Sequence, residues 1–113
     1  MTKPSRDATV LVLNLLFALA AALPAHSEVP TAADVAACNS DATQAIKTGG
    51  ASPTSGDHAR ADRARGGVMT KSVSATGTAI ESPDPQIHGM EGEGAKSPVY
   101  QAAYRSCMRR KGF

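Results

Sequence analysis

All six leucines of this chain (Leu11, Leu13, Leu15, Leu16, Leu19 and Leu23) fall within its first 27 residues. Residues 28–113 contain no leucine, no tryptophan, one phenylalanine (Phe113) and two tyrosines (Tyr100 and Tyr104). The apolar content of that part is mostly alanine, which removes little area from water. Burying a large apolar side chain contributes about 1.5–3 kcal/mol, and few such side chains are present to offset the entropy of ordering the chain. A large hydrophobic core is therefore excluded. With 113 residues in all, the sequence allows at most one small domain. Domains of this size are usually reinforced by a disulfide or a metal.

The leucine-rich end reads as an export signal. Lys3 and Arg6 precede an apolar run from Ala8 to Leu23, and the small residues Ala25 and Ser27 follow at the positions a signal peptidase reads. The run is 16 residues long and interrupted by Asn14, shorter than the roughly 20 residues needed to span a bilayer. Residues 1–27 are expected to be a signal peptide cleaved between Ser27 and Glu28. The alternative is an uncleaved anchor. Residues 28–113 then form the mature module, with nine acidic and ten basic side chains. That near-neutral balance gives no broad drive toward nucleic acid.

Two helices are expected in the mature part, one over about 31–48 and one over about 98–111. In the first, Thr31 and Asp34 can form a capping box. Val35, Cys38, Ala42, Ala45 and Ile46 recur at helical spacing, and Gly49-Gly50 ends the run. In the second, Ser97 suits the N-cap and Pro98 the first helical position. Tyr100, Ala103, Tyr104, Cys107 and Met108 form one stripe. Arg109, Arg110 and Lys111 complement the negative end of the dipole before Gly112. Residues 48–96 are expected to be largely flexible or disordered, being rich in glycine and poor in bulky side chains. Asp57–Arg65 can form a brief helix, and KSVSATGTAI alternates weakly like a strand. Neither has the bulk to hold its place alone. The expected fold class is mostly α, two short helices stapled by one disulfide around a Gly-rich loop.

The staple is Cys38 with Cys107. Each lies on an apolar helical stripe of an exported chain, and closing so long a loop contributes roughly 4 kcal/mol in the chain-entropy account. Buried free thiols or an intermolecular bridge are the alternatives. Val35-Ala36-Ala37-Cys38 also reads as a lipobox, with Cys38 lipidated. Yet it lies 13 residues beyond Ala25, past Glu28 and Asp34, whereas a lipoprotein cysteine follows directly on the apolar run.

His88 and Met90 are the candidate metal residues, a soft thioether beside an imidazole that would suit copper. They sit in a glycine-rich segment at no recognised ligand spacing, so no metal or other cofactor is expected. Arg105, Arg109, Arg110 and Lys111 make a basic helix end that can meet an anionic surface or an acidic partner. The plainer reading is dipole complementation and solubility. No catalytic triad, phosphate loop or paired carboxylates can be assembled with credible spacing, so a non-enzymatic role is expected.

Cys38-Asn39-Ser40-Asp41-Ala42 and Tyr104-Arg105-Ser106-Cys107-Met108 resemble segments of small bacterial envelope proteins, the phosphate-starvation-inducible periplasmic repeat proteins among them. In that family the two cysteines lie closer and the unit repeats; here one pair is separated by a long segment. The resemblance implies an exported, disulfide-linked helical module and carries over no catalytic residue. The function expected is a structural or binding component of the periplasm or secretome. Envelope anchoring and weak copper binding are the alternatives.

Overall fold

The computed structural model describes residues 29–74 and 77–113. The expected signal peptide and its cleavage point at Ser27 and Glu28 lie outside the described residues. Three α-helices, a hairpin and one turn of 3-10 helix make up the module: α1 (Ala32–Thr48), α2 (Ser55–Arg65), β1 (Lys71–Ser74), β2 (Gly77–Ile80), the 3-10 turn (Gly94–Lys96) and α3 (Pro98–Arg110). It is mostly helical, as the sequence predicts. No helix among the described residues is long and apolar enough to cross a membrane.

The helix ends follow local chemistry. The Asp34 amide donates to Thr31 Oγ1 at 3.2 Å, and the Thr31 amide donates back to Asp34 Oδ2 at 3.0 Å. Two of the amides that a helix start leaves unpaired are thereby satisfied. Gly49 closes α1 in the left-handed conformation at φ 66°. Helix α2 starts on the same device, with Thr54 and Asp57 in the two roles. Ser97 accepts from the Tyr100 amide to cap α3, and Pro98 occupies the first turn.

Residues 48–96 depart from the two-helix expectation. They hold a third helix, an antiparallel hairpin pairing Lys71 with Ile80 and Ser74 with Gly77, and a return segment that runs back along β2. The Ile80 amide donates to the Met90 carbonyl and the Gly89 amide to the Ile80 carbonyl, both at 2.8 Å. The Gly92 amide donates to the Thr78 carbonyl at 2.7 Å. Order here comes from backbone bonds and from partners distant in sequence, with Ile80 and Met90 as the segment's fully buried bulk.

The core gathers Cys38, Ala42 and Ala45 of α1, Ala64 of α2, Ile80, Met90 and Ala95, with Tyr100, Ala103, Tyr104, Cys107 and Met108 of α3. The whole α3 stripe is buried as predicted. Ile46 is not; it is 50% exposed. At 100° per residue, Ala42 and Ala45 stay close to the Cys38 direction, whereas Ile46 falls about 80° away on the flank. Val73 is 86% exposed, because the strand face that buries Ile80 has run past the core at the Val73–Thr78 pair.

Alanines and glycines let these elements approach closely. A Cβ at Gly94 would lie 2.5 Å from the Tyr100 ring. Gly94→Ala is expected to destabilise the fold by about 2 kcal/mol, the usual range for overpacking, read as a lower urea midpoint. An unchanged midpoint would show that the ring can swing aside.

Candidate functional site

Three arrangements hold α1, α2 and α3 together and frame the candidate site. The first is the staple. Cys38 and Cys107 form a disulfide with Cα atoms 5.4 Å apart, within the usual span for such a bridge, and both residues are buried. No free cysteine remains among the described residues.

The second is a polar clamp beside the staple. Asn39 sits mid-helix, where asparagine is unfavourable unless its amide finds work elsewhere. Its Nδ2 donates to the Gly89 carbonyl at 3.0 Å, and its Oδ1 accepts from the Glu91 amide at 2.9 Å. The side chain thus pairs with the return segment as another strand would. The Tyr100 hydroxyl donates to the same Oδ1 at 2.6 Å, and the Tyr104 hydroxyl donates to the His88 carbonyl at 2.5 Å. Burial pushes the Tyr100 phenol up to about 12 and raises that of Tyr104 as well. Both phenols therefore remain neutral donors across the physiological range.

The third is a buried ion pair bordering a groove. Asp57 is 2% exposed and accepts from Arg105 Nη1 at 2.9 Å across the α2–α3 contact. Its other oxygen takes the Thr54 amide and hydroxyl. Burial would raise this carboxyl, but the hydrogen bonds from Thr54 and Arg105 outweigh it and hold the group below the usual carboxylate value. Next to the pair lies a groove of about 490 Å³ between α1, α3 and the Gly50–Thr54 linker. On α1 its wall is Asp41, Gln44, Ala45 and Thr48; on α3 it is Ala102, Ala103, Arg105, Ser106, Arg109 and Arg110. Each set follows helical spacing and so presents one face.

The residues singled out in the sequence separate. Cys38 and Cys107 meet. Met90 fills the core, while His88 is half-buried at the surface with its carbonyl held by Tyr104. The described residues contain no group of three or more histidines, cysteines or carboxylates placed to hold a metal ion. Of the four basic residues near the C-terminus, Arg105 pairs with Asp57, Arg110 with Asp41 at 3.2 Å and Lys111 with Asp34 at 3.3 Å. Arg109 is exposed and has no ion-pair partner among the described residues. Asn39, Asp41 and Asp57 were not legible as site residues, although Thr54-Ser55-Gly56-Asp57 spells the same cap as Thr31-Ala32-Ala33-Asp34.

No family model, curated protein or solved structure matches this chain.

Proposed function

We propose that the chain is exported through a cleaved N-terminal signal and that residues 28–113 act as a disulfide-stapled binding module in an oxidising compartment, without catalysis of their own. The observation that carries this reading is the buried Cys38–Cys107 bridge. It joins positions 69 residues apart in a module whose core is largely alanine. Bridges of this kind persist where thiols are not kept reduced, and a small poor core is where one is most useful. The apolar run at residues 8–23 supplies a matching address. Engagement of Cys38 in a bridge leaves no thiol to acylate, which favours release over lipid anchoring. The segments that resemble the periplasmic repeat proteins are the two halves of the staple, which agrees with this placement.

Intact-mass spectrometry of the exported protein tests the reading. The expected species begins at Glu28, carries no acyl group and gains two hydrogens on reduction. A species that retains residues 1–27, or an acylated one, would overturn the proposed release.

A further inference from the structure

Resting on the reading as a binding module, we propose that the α1–α3 groove binds a small polar anion, a carboxylate or phosphate ester, with Arg109 and Arg110 as its charge partners and Ser52 and Ser106 as hydroxyl donors.

The groove exists because its inner residues are small. Ala45, Ala51, Ala102 and Ala103 line it where longer side chains would fill the space. Its volume of about 490 Å³ falls within the range of small-ligand sites, about 300–1,000 Å³. Polar groups at its rim come from three separate segments: Gln44 and Thr48 of α1, Ser52 of the linker, and Ser106 of α3.

The charges divide unevenly. Three guanidiniums and two carboxylates line the groove. Asp57 is buried and fully engaged by Thr54, Arg60 and Arg105, so it neutralises Arg105 and offers nothing to a ligand. Asp41 meets Arg110 in an exposed pair, with side chains 56% and 63% exposed. Pairs of that kind contribute at most about 1 kcal/mol, so an incoming anion can displace Asp41. Arg109 follows Arg105 by four residues, putting two like charges on one helical face with no carboxylate assigned to the second. An anion seated there gains charge-assisted bonds from Arg109 and from a released Arg110. The N-terminus of α2 abuts the groove, with the Thr54 and Asp57 amides taken by its capping box and the Asp57 carboxylate seated at that end, so the charge that draws an anion comes from the arginines.

A concave site favours a small ligand over a membrane. A flat anionic surface would need the basic end of α3 as a unit, yet Arg105 is turned inward to Asp57 and Lys111 toward Asp34.

The test is titration of the oxidised exported protein, followed by two-dimensional ¹⁵N NMR. Inorganic phosphate and succinate are the probes, with chloride at matched ionic strength as the control. Saturable shifts are expected in 48–52 and 106–110, and the stronger of the two probes identifies the class of headgroup. Arg109→Gln should weaken binding about five-fold, as loss of one charge-assisted contact implies. Asp41→Asn should tighten it about three-fold, because it frees Arg110 and removes a competing carboxylate. Both positions are exposed, and a native-like spectrum of each variant establishes that it folds. Shifts reproduced by chloride, shifts spread equally over Arg60, Arg63 and Arg65, or indifference to Arg109→Gln would overturn the site. So would sedimentation with phosphatidylglycerol vesicles in the absence of any phosphate or succinate shift. The intact-mass result is separate: a retained signal or acyl group defeats the export reading and leaves a positive titration standing.

Discussion

A Cys38→Ala/Cys107→Ala double variant is expected to lose most of the cooperative unfolding transition near room temperature. The bridge closes a sequence separation of 69 residues, for which the chain-entropy relation gives roughly 4 kcal/mol of stabilisation. A module this small has a total stability of only about 4–13 kcal/mol on the usual per-residue scale. This one sits toward the lower end, since the bulky apolar side chains buried among the described residues are Ile80, Met90, Met108, Tyr100 and Tyr104. The bridge is also placed where it counts. It pins α1 to α3 beside Asn39, and losing that register would release the Asn39 contacts to Gly89 and Glu91. Urea unfolding of the oxidised protein against the double variant reads the effect directly. A loss of about 3 kcal/mol or more, or no folded baseline at all, is the expected outcome. A loss below about 1 kcal/mol would show instead that the alanine-and-tyrosine packing holds the helices without help.

The parts of this fold that depend on neighbours in sequence were readable. Thr31 with Asp34, Ser97 with Pro98, and Gly49 mark helix ends through bonds spanning three or four residues, and the structure uses each of them. The α3 stripe was readable for the same reason, since one helix face carries all five residues. Helix α2 was expected to begin at Asp57, although the Thr-x-x-Asp spelling that identified α1 recurs at Thr54. Two copies of one cap motif, 23 positions apart, are a usable signal in a chain with so little apolar patterning.

Order in residues 81–96 could not be read from composition. It depends on Asn39 and Tyr104 reaching the return segment, with Tyr100 bonded to Asn39, and on Gly92 closing onto Thr78. The Asn39 contacts span 50 and 52 residues of sequence. Low hydrophobicity excludes a segment that folds by itself, but it does not exclude one that supplies backbone groups to side chains elsewhere. The groove was hidden for a similar reason, because its walls come from three segments and its emptiness comes from alanines that look featureless in sequence. Arg105 illustrates the limit well. Its position at a basic helix end suggested a surface charge, and only the packing of α2 shows that it serves a buried carboxylate.

Removing that carboxylate is the second large effect. Asp57→Ala is expected to destabilise the module by about 3–5 kcal/mol, the range for breaking a buried pair and stranding one charge. Arg105 is only 16% exposed, and its Nε is already buried without a partner, so it has little water to fall back on. The same substitution removes the cap contacts to the Thr54 amide and hydroxyl. Asp57→Asn separates the two effects, since an amide oxygen can still serve the cap while the charge is lost, and it should be less damaging than alanine. The pH dependence gives a sharper reading. Because the folded-state carboxyl lies below its ordinary value, its stabilisation is present in full above the unfolded value of about 4. It is lost as pH falls through the lower folded value. The stability gap between the natural protein and Asp57→Asn should therefore be wide at pH 6 and close progressively below about pH 4. Asp34, whose carboxyl the Thr31 hydroxyl holds low, keeps its own acid response in both proteins, so it cancels from the difference. Urea midpoints measured across that range decide the matter. A gap that stays constant into strong acid would mean that Asp57 acts through shape and capping alone, and that its charge contributes nothing to holding α2 on α3.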